Sequence, residues 1–306
     1  MARNIALMVA LLLTQNAFAA GSMQIRILSY NIKGLPGIAG GYNKSRFTEI
    51  GKMLLQRRMN GTAPDFVLLQ ESFISETKPV RTIAQYPYIV KGPEDEKEYD
   101  ENGKKVSKIY NAGLYIMSLH PLSNPQKMIF GKGICKSWDC NSNKGLHIVT
   151  ADVPGLPFKL NIANTHMQAS AKHDAIRIKQ MDIANRHLAK HAPSGALFFG
   201  GDFNIRPELA SYPYWFKTSE LKSTGEYCTN PDQKTCIIEE GTDKDWIVKL
   251  TKDHIFYREG TTATPNGNVE VTITPITVER NFTELHEGKP LSDHMGFEAL
   301  YTISWK

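Results

Sequence analysis

Short apolar segments recur along the chain, and most of them end in a polar residue. In the first segment Ile27 and Leu28 point to opposite faces of an extended chain, so both faces of this strand are expected to be covered. An Asn266-Gly267 pair predicts a hairpin turn before one of the later segments. The pattern predicts strands at residues 24–32, 65–71, 112–118, 146–153, 160–165, 196–200, 269–278 and 297–305.

Two longer segments repeat apolar residues every three or four positions and predict amphipathic helices at residues 45–59 and 172–190. The charged segment 91–108 is interpreted as a solvated excursion rather than a linker, and nothing else divides the pattern. We therefore predict a single domain over residues 24–306. Strands outnumber helices, and both hairpins and strand–helix connections occur, which indicates mixed sheets in a layered α/β fold.

The composition agrees with a folded globular domain. The chain has 306 residues, of which 41% are hydrophobic and 22% charged, and no repeat or charge block dominates it. These values exclude disordered, collagen-like, coiled-coil and low-complexity classes. The formal net charge of +5 permits a polyanion or a membrane surface as a partner without requiring either.

The first twenty residues have the features of a secretory signal peptide. Arg3 precedes a run of nine apolar residues at 5–13, and Ala17-Phe18-Ala19 is a small-x-small cleavage site. Nine residues are too few to span a bilayer, which disfavours an uncleaved anchor. Residues 21–23 resemble a cloning junction, so a leader foreign to the natural protein stays an alternative. We predict a secreted or periplasmic protein with residues 1–20 as the signal peptide.

The four cysteines fall into two close pairs, Cys135 with Cys140 and Cys228 with Cys236. Two local disulfides are the simplest interpretation and agree with export, although three pairings are formally possible. Four reduced thiols are the alternative. A zinc site is disfavoured, because neither pair has C-x-x-C spacing and no histidine cluster lies close in sequence.

Residues of the kinds that bind metal ions and phosphate stand at the ends of the apolar segments or in the turns that follow. They are Asn31, Glu71, His166, Asp202, Asn204, Asp253, His254, Asp293 and His294. The most specific group is GGDFN at 200–204, where two glycines permit a sharp turn and Asp202 and Asn204 project to the same side. Carboxylate and amide oxygens suit Mg²⁺, and the set therefore predicts a magnesium site, with Mn²⁺ or Co²⁺ as alternatives.

Six ordered motifs cover nearly the whole chain after the leader: LSYNIKG, LLQES, NTHMQA, GGDFN, KDHIFY and LSDHMG. With them the sequence resembles the endonuclease/exonuclease/phosphatase superfamily of metal-dependent phosphoesterases, and within it most of all the bacterial neutral sphingomyelinases. The resemblance implies an α/β four-layer sandwich of two mixed β-sheets flanked by helices. It also implies catalysis with Mg²⁺.

The resemblance assigns the metal and the nucleophile to one group of side chains. Glu71 is implied to bind the catalytic Mg²⁺, with Asn31 beside it and Asp293 near the metal. Asp202 and Asn204 are implied to hold the nucleophilic water and the phosphate.

A second group carries the proton chemistry that the resemblance implies. His294 transfers a proton, and Asp253 orients its imidazole. His166 donates to a phosphoryl oxygen. A phosphodiester repels hydroxide, so these groups must neutralise charge that grows in the transition state.

Three substrate classes compete. The secretory segment and the cysteine pair Cys135 and Cys140 support a neutral sphingomyelinase, and Ser142-Asn143-Lys144-Gly145-Leu146 resembles a block of those enzymes. In that block Lys144 is expected to pair with phosphate, with an ordinary loop lysine as the alternative. Trp138, between the two cysteines, is the candidate for contact with lipid. Sphingomyelin at a phospholipid membrane surface is therefore the expected substrate, and no protein partner is implied. A secreted nuclease acting on nucleic acid is the alternative. An inositol-phosphate phosphatase ranks third, because Lys252-Asp253-His254-Ile255 lacks the arginine that the corresponding motif of that family has. A non-enzymatic role is the last alternative. It would require the loss of catalytic residues, and all six motifs retain them.

Overall fold

The computed structural model describes residues 20–36, 44–94 and 98–306. The predicted signal peptide lies outside this part of the chain except for Ala20. The helices are α1 (Ser45–Met59), α2 (Lys78–Ala84), α3 (Asp174–His191), α4 (Ser211–Thr218) and α5 (Thr224–Thr229), with short 3₁₀ turns at Ser75–Thr77, Ser137–Asn141 and Ala171–His173 and a π turn at Trp246–Leu250. None of the helices in the described ranges has the length and apolar character that crossing a membrane requires.

Eighteen strands are present in the described residues. They are β1 (Gly21–Gly34), β2 (Phe66–Ser72), β3 (Tyr88–Lys91), β4 (Glu98–Tyr99), β5 (Lys105–Val106), β6 (Tyr115–Ser118), β7 (Leu122–Ile129), β8 (Gly145–Ala151), β9 (Leu160–His166), β10 (Leu197–Asp202), β11 (Lys222–Ser223), β12 (Ile237–Ile238), β13 (Asp253–Arg258), β14 (Gly260–Thr264), β15 (Gly267–Asn281), β16 (Leu285–His286), β17 (Lys289–Pro290) and β18 (Gly296–Trp305).

The strands form two large mixed sheets and two small hairpins. The first sheet has the order β12-β15-β18-β1-β2-β6-β3, with β14 paired to β15, and the second has the order β11-β13-β10-β9-β8-β7. Each sheet has a central parallel pair, β1 with β2 and β9 with β10, while most other neighbours are antiparallel. Parallel neighbours end at the same edge of a sheet, so each central pair brings two carboxyl ends together.

Apolar side chains on both faces of the central strands produce four layers. Phe66 and Leu68 of β2 pack against the other sheet, in a core that includes Phe198. Val67 and Leu69 of the same strand instead pack under α1 and α2. On the far side α3 and α4 cover the second sheet. The order of layers is therefore helix, sheet, sheet, helix, as the resemblance implied.

Most of the predicted helices and strands are confirmed. Where their bounds differ, pairing with a neighbouring strand extends the strand beyond its predicted end. Helix α1 spans the predicted residues 45–59, and β14 and β15 form the predicted hairpin at Asn266-Gly267. Strand β1 begins at Gly21 instead of residue 24, because antiparallel pairing with β18 continues to Trp305. Strands β9 and β10 extend to His166 and Asp202, beyond the predicted ends.

Both predicted disulfides are present. Cys135 is bonded to Cys140 across Cα atoms 5.2 Å apart, and Cys228 to Cys236 across 5.0 Å. All four cysteines are therefore paired locally, and neither the reduced-thiol alternative nor a cysteine zinc site applies.

Candidate active site

The first two site residues stand at the carboxyl ends of β1 and β2. The register between these strands shifts from Asn31 to Gly34, and Glu71 takes a positive φ of 55°, which turns its side chain out of the regular pleat. Gly34 permits this arrangement, since a Cβ there would lie 2.5 Å from the Glu71 carbonyl oxygen. The Asn31 amide donates from Nδ2 to Glu71 Oε1 at 3.1 Å.

Strand register in the second sheet places three more residues in a row. Asp202 of β10 lies opposite His166 of β9 on one side and opposite Asp253 of β13 on the other. The preceding Gly201 is required by close packing, because a Cβ would lie 2.2 Å from the Thr165 carbonyl oxygen. The motif GGDFN thus fixes Asp202 between a histidine and a second carboxylate.

The pair Asn31 and Glu71 of the first sheet lies against the row His166, Asp202 and Asp253 of the second sheet. Asn31 Nδ2 also donates to Asp202 Oδ2 at 3.0 Å, so one amide joins the carboxylates of both sheets. His166 Nε2 lies 3.5 Å from Asp202 Oδ2 and 3.8 Å from Glu71 Oε1. His294 contacts Asp253 Oδ2 through Nδ1 at 2.5 Å and faces Asp202 Oδ2 through Nε2 at 3.8 Å.

A buried lysine closes the cluster behind His166. Lys144 Nζ lies 2.9 Å from His166 Nε2, 3.0 Å from the Met167 carbonyl oxygen and 2.9 Å from Asp139 Oδ1. Asp139 also accepts a hydrogen bond from the Ala169 backbone at 2.6 Å. Asp139 belongs to the segment 135–140 that the first disulfide closes, which we call the stapled loop. An ion pair therefore links the stapled loop directly to the centre of the site.

Burial and neighbouring charges shift the pKa values in opposite directions across the cluster. Burial raises the pKa of Glu71, while His294, His166 and Lys144 outweigh burial at Asp202 and lower its pKa. Burial, with Lys144, lowers the pKa of His166 to about 3, so this imidazole is neutral at pH 7.

His294 is in the opposite state. Burial by itself would lower its pKa, but the carboxylates of Asp253 and Asp202 outweigh that effect and raise it above the ordinary value. An imidazole that is protonated beside one that is neutral is the arrangement expected where proton transfer and charge stabilisation are divided between two groups.

The donor set fits a hard divalent cation. Two groups of side chains have ligand atoms within 4.8 Å of one another, Glu71 with His166 and Asp202, and Asp202 with Asp253 and His294. Glu71 and Asp202 are carboxylates that share a single amide partner, and carboxylate oxygens at a buried edge are what Mg²⁺ prefers. Glu71 and Asp202 are the residues that would hold it.

The remaining predicted residues lie at different distances from this centre. Asn204 is buried, and its backbone donates to Asp202 Oδ1 at 2.9 Å, so it belongs to the cluster. The Asp293 carboxylate is half exposed and pairs with Lys33 Nζ at 2.8 Å, outside both ligand groups. Trp138 is 80% exposed on the stapled loop. The assigned roles of all these residues stay predictions.

Sequence reasoning missed two charged residues of this region. Asp139 holds Lys144, and Lys33 holds Asp293. Asp139 lies outside all six motifs, and Lys33 lies inside LSYNIKG, where nothing marks it as a partner of Asp293. The only signals in the sequence were the position of Asp139 inside the cysteine pair and the position of Lys33 two residues after Asn31.

No protein-family model and no curated protein sequence matches the chain. Sphingomyelinase C from Streptomyces griseocarneus matches in structure with a TM-score of 0.63 and 20% identity, over 90% of this chain and 99% of that one. Beta toxin from Staphylococcus aureus, in a variant with bound magnesium ions, matches with a TM-score of 0.62 and 17% identity, over 90% and 99%.

A third match is D. rerio TDP2 complexed with a single-strand DNA product, with a TM-score of 0.62 and 17% identity, over 91% of this chain and 98% of that one. The chain has the endonuclease/exonuclease/phosphatase fold. Within the endonuclease/exonuclease/phosphatase fold, a sphingomyelinase and a DNA-bound protein match this chain almost equally well. The fold therefore does not decide the substrate, which depends on the residues of this chain.

Proposed function

We propose that the chain is a metal-dependent phosphodiesterase of the endonuclease/exonuclease/phosphatase superfamily. The observation that supports this most is the cluster in which ligand atoms of Glu71, Asp202 and His166 lie within 4.8 Å of one another. Beside it Asp253 Oδ2 lies 2.5 Å from His294 Nδ1. Bound Mg²⁺ would supply positive charge to the phosphoryl oxygens. The metal identity belongs to the proposal, with Mn²⁺ or Co²⁺ as alternatives.

In this proposal the side chains divide the work of hydrolysis. His294 moves a proton at Nε2, and Asp253 fixes the ring by its contact with Nδ1. Asp202 and Asn204 position the attacking water and the phosphate. His166 and Lys144 lie side by side at the phosphoryl end, where the positive charge of Lys144 opposes the charge that develops on oxygen.

We further propose that the substrate is sphingomyelin, cleaved to ceramide and phosphocholine at a membrane surface outside the producing cell. The support is the stapled loop, because the loop that holds Lys144 through Asp139 also presents Trp138 to solvent. Ile109 is 69% exposed beside it, since Tyr110 exchanges backbone hydrogen bonds with Asn141 and Asn143 at 2.9 Å. Exposed apolar side chains at the rim suit a lipid surface.

Parallel assays of one preparation would test this proposal. Sphingomyelin vesicles, phosphatidylcholine vesicles, plasmid DNA and inositol polyphosphates are each incubated with Mg²⁺ and with chelator. We expect phosphocholine release from sphingomyelin that chelator abolishes. Cleavage of plasmid DNA without phosphocholine release would contradict the lipid substrate and favour the nuclease alternative, and turnover in chelator would contradict metal dependence.

Replacing Trp138 by Ala is expected to weaken action on sphingomyelin vesicles severalfold more than action on a soluble choline-phosphate ester. The reason is that an indole at the boundary between water and acyl chains contributes to surface binding but not to chemistry. Initial rates on both substrates measure the effect. Met59→Ala is the matched control, because Met59 is 73% exposed but is the last residue of α1, in the chain before β2, whose other end carries Glu71. Equal losses on the two substrates would reject the membrane role of Trp138.

A further inference from the structure

Two histidines near the carboxyl end of α3 form a pair that the candidate active site does not use. His187 and His191 are four residues apart on the helix, so they share one face, and their ring centroids lie 4.4 Å apart with 48° between the planes. His187 is thirteen residues after the start of α3, which places it about 20 Å along the helix. The pair is therefore well separated from the strand ends that form the site.

The geometry of the pair matches two ligands on one ion. Two imidazoles bound at a right angle to one metal, with metal–nitrogen bonds of about 2.1 Å, have ring centroids about 4.5 Å apart. The observed 4.4 Å agrees with this value, and the tilt of 48° excludes parallel stacking of the rings. The helix fixes the two Cα atoms about one turn apart, so binding needs only side-chain rotation.

The imidazole rings also have the protonation state that metal binding requires, which is neutral. Burial and the neighbouring His191 lower the pKa of His187 to about 4. Burial, with Lys190, also lowers the pKa of His191. Both imidazoles are therefore neutral at pH 7, and each keeps a nitrogen lone pair.

One nitrogen of the pair lacks a partner. His187 Nε2 is buried and has no hydrogen-bond partner among the described residues. A buried polar atom without a partner costs free energy, on the order of 1–3 kcal/mol in general, and a bound ion would remove that cost. Glu101 lies close enough to act on the charge of His187, and its carboxylate is fixed by two contacts with Arg186 at 2.8 and 2.7 Å.

We propose that His187 and His191 form a second metal site, specific for borderline transition-metal ions such as Cu²⁺, Ni²⁺ and Zn²⁺ and distinct from the oxygen-rich candidate magnesium site. Imidazole nitrogen suits these ions and not Mg²⁺. Affinity is expected to be highest for Cu²⁺, with Ni²⁺ and Zn²⁺ below it. Bound metal would join the last turns of α3.

The experiment uses Ni²⁺ as the probe and the full chain in excess Mg²⁺, which keeps the oxygen-rich site occupied. Isothermal titration gives the number and affinity of Ni²⁺ sites for the parent chain, His187→Asn and His191→Asn. His173→Asn is the matched control, because His173 lies just before the same helix and is distant from the pair. Removing a residue that only hydrogen-bonds to a metal ligand costs about 10–100-fold in metal affinity, so removing a ligand itself is expected to cost at least on the order of tenfold.

His191→Asn carries the test, since His191 stands at the end of the helix and the fold tolerates polar residues there. We expect this variant to lose one Ni²⁺ site while its Mg²⁺-dependent turnover is unchanged. The parent chain and His173→Asn, but not His191→Asn, are expected to gain thermal stability with Ni²⁺. Equal Ni²⁺ stoichiometry and affinity in the parent and His191→Asn would overturn the proposal. So would a Ni²⁺ site that disappears only when Glu71 is replaced.

Discussion

Replacing Glu71 by Gln is expected to reduce turnover by on the order of 10²-fold or more while the fold persists. Glu71 supplies one of two carboxylates that converge on the same amide, and a neutral amide oxygen binds a hard dication far more weakly than a carboxylate. A metal ion contributes several kcal/mol of charge stabilisation to phosphoryl transfer, and each tenfold in rate corresponds to about 1.36 kcal/mol.

The measurement is kcat on the best substrate as a function of Mg²⁺ concentration, with thermal unfolding as the check on folding. Asp293→Asn provides a matched control, because Asp293 is a half-exposed carboxylate near the same edge whose partner is Lys33. We expect this variant to lose less activity than Glu71→Gln. A Glu71→Gln enzyme with normal rate at low Mg²⁺ would reject Glu71 as the principal ligand.

Removal of the His294 imidazole is the second change with a large expected effect. His294→Ala should lower kcat by about 10²- to 10⁴-fold if the ring transfers a proton in the transition state. The effect should fall on kcat more than on KM, because the His294 imidazole lies against Asp253 and Asp202 at the centre of the cluster and is expected to act in the chemical step. Near-normal turnover would reject the assignment, and His166 would become the next candidate.

The pH profile separates the role of Asp253 from that of His294. The Asp253 carboxylate raises the pKa of His294, so Asp253→Asn removes a negative neighbour and lowers that pKa. The pH–rate limb that reports His294 should therefore move to lower pH in Asp253→Asn. An unchanged limb together with a reduced rate would show that Asp253 does not set the charge of the imidazole.

Polar residues at the ends of apolar segments do lie together in the structure, while their roles stay predictions. Asn31, Glu71, His166 and Asp202 could be named from sequence because parallel strands end at one edge, and any residue just past such an end lies near the others. GGDFN carried the most information, since Gly201 is required by a contact that only strand pairing creates.

The sequence could not predict ion pairs between residues that lie in loops or far apart in the chain. The pairing of Asp139 with Lys144 depends on where the stapled loop folds back, and the pairing of Lys33 with Asp293 joins residues from the two ends of the chain. The hydrophobic pattern also could not predict the exact ends of the strands. Strands β9 and β10 continue through polar residues, and polar residues after an apolar run are normally interpreted as a turn.

The stapled loop links contacts inside the cluster to the oxidation state of two cysteines. Asp139 lies between Cys135 and Cys140 and forms an ion pair with Lys144, which in turn contacts His166. In a reducing cytosol this loop would be open, and opening it frees the segment that carries Asp139. If the chain hydrolyses membrane lipid as proposed, such an enzyme would endanger the cell that makes it. Closure of the loop by the disulfide would then fix Asp139 beside Lys144 only where disulfides persist, so formation of the bond and assembly of this part of the cluster would coincide.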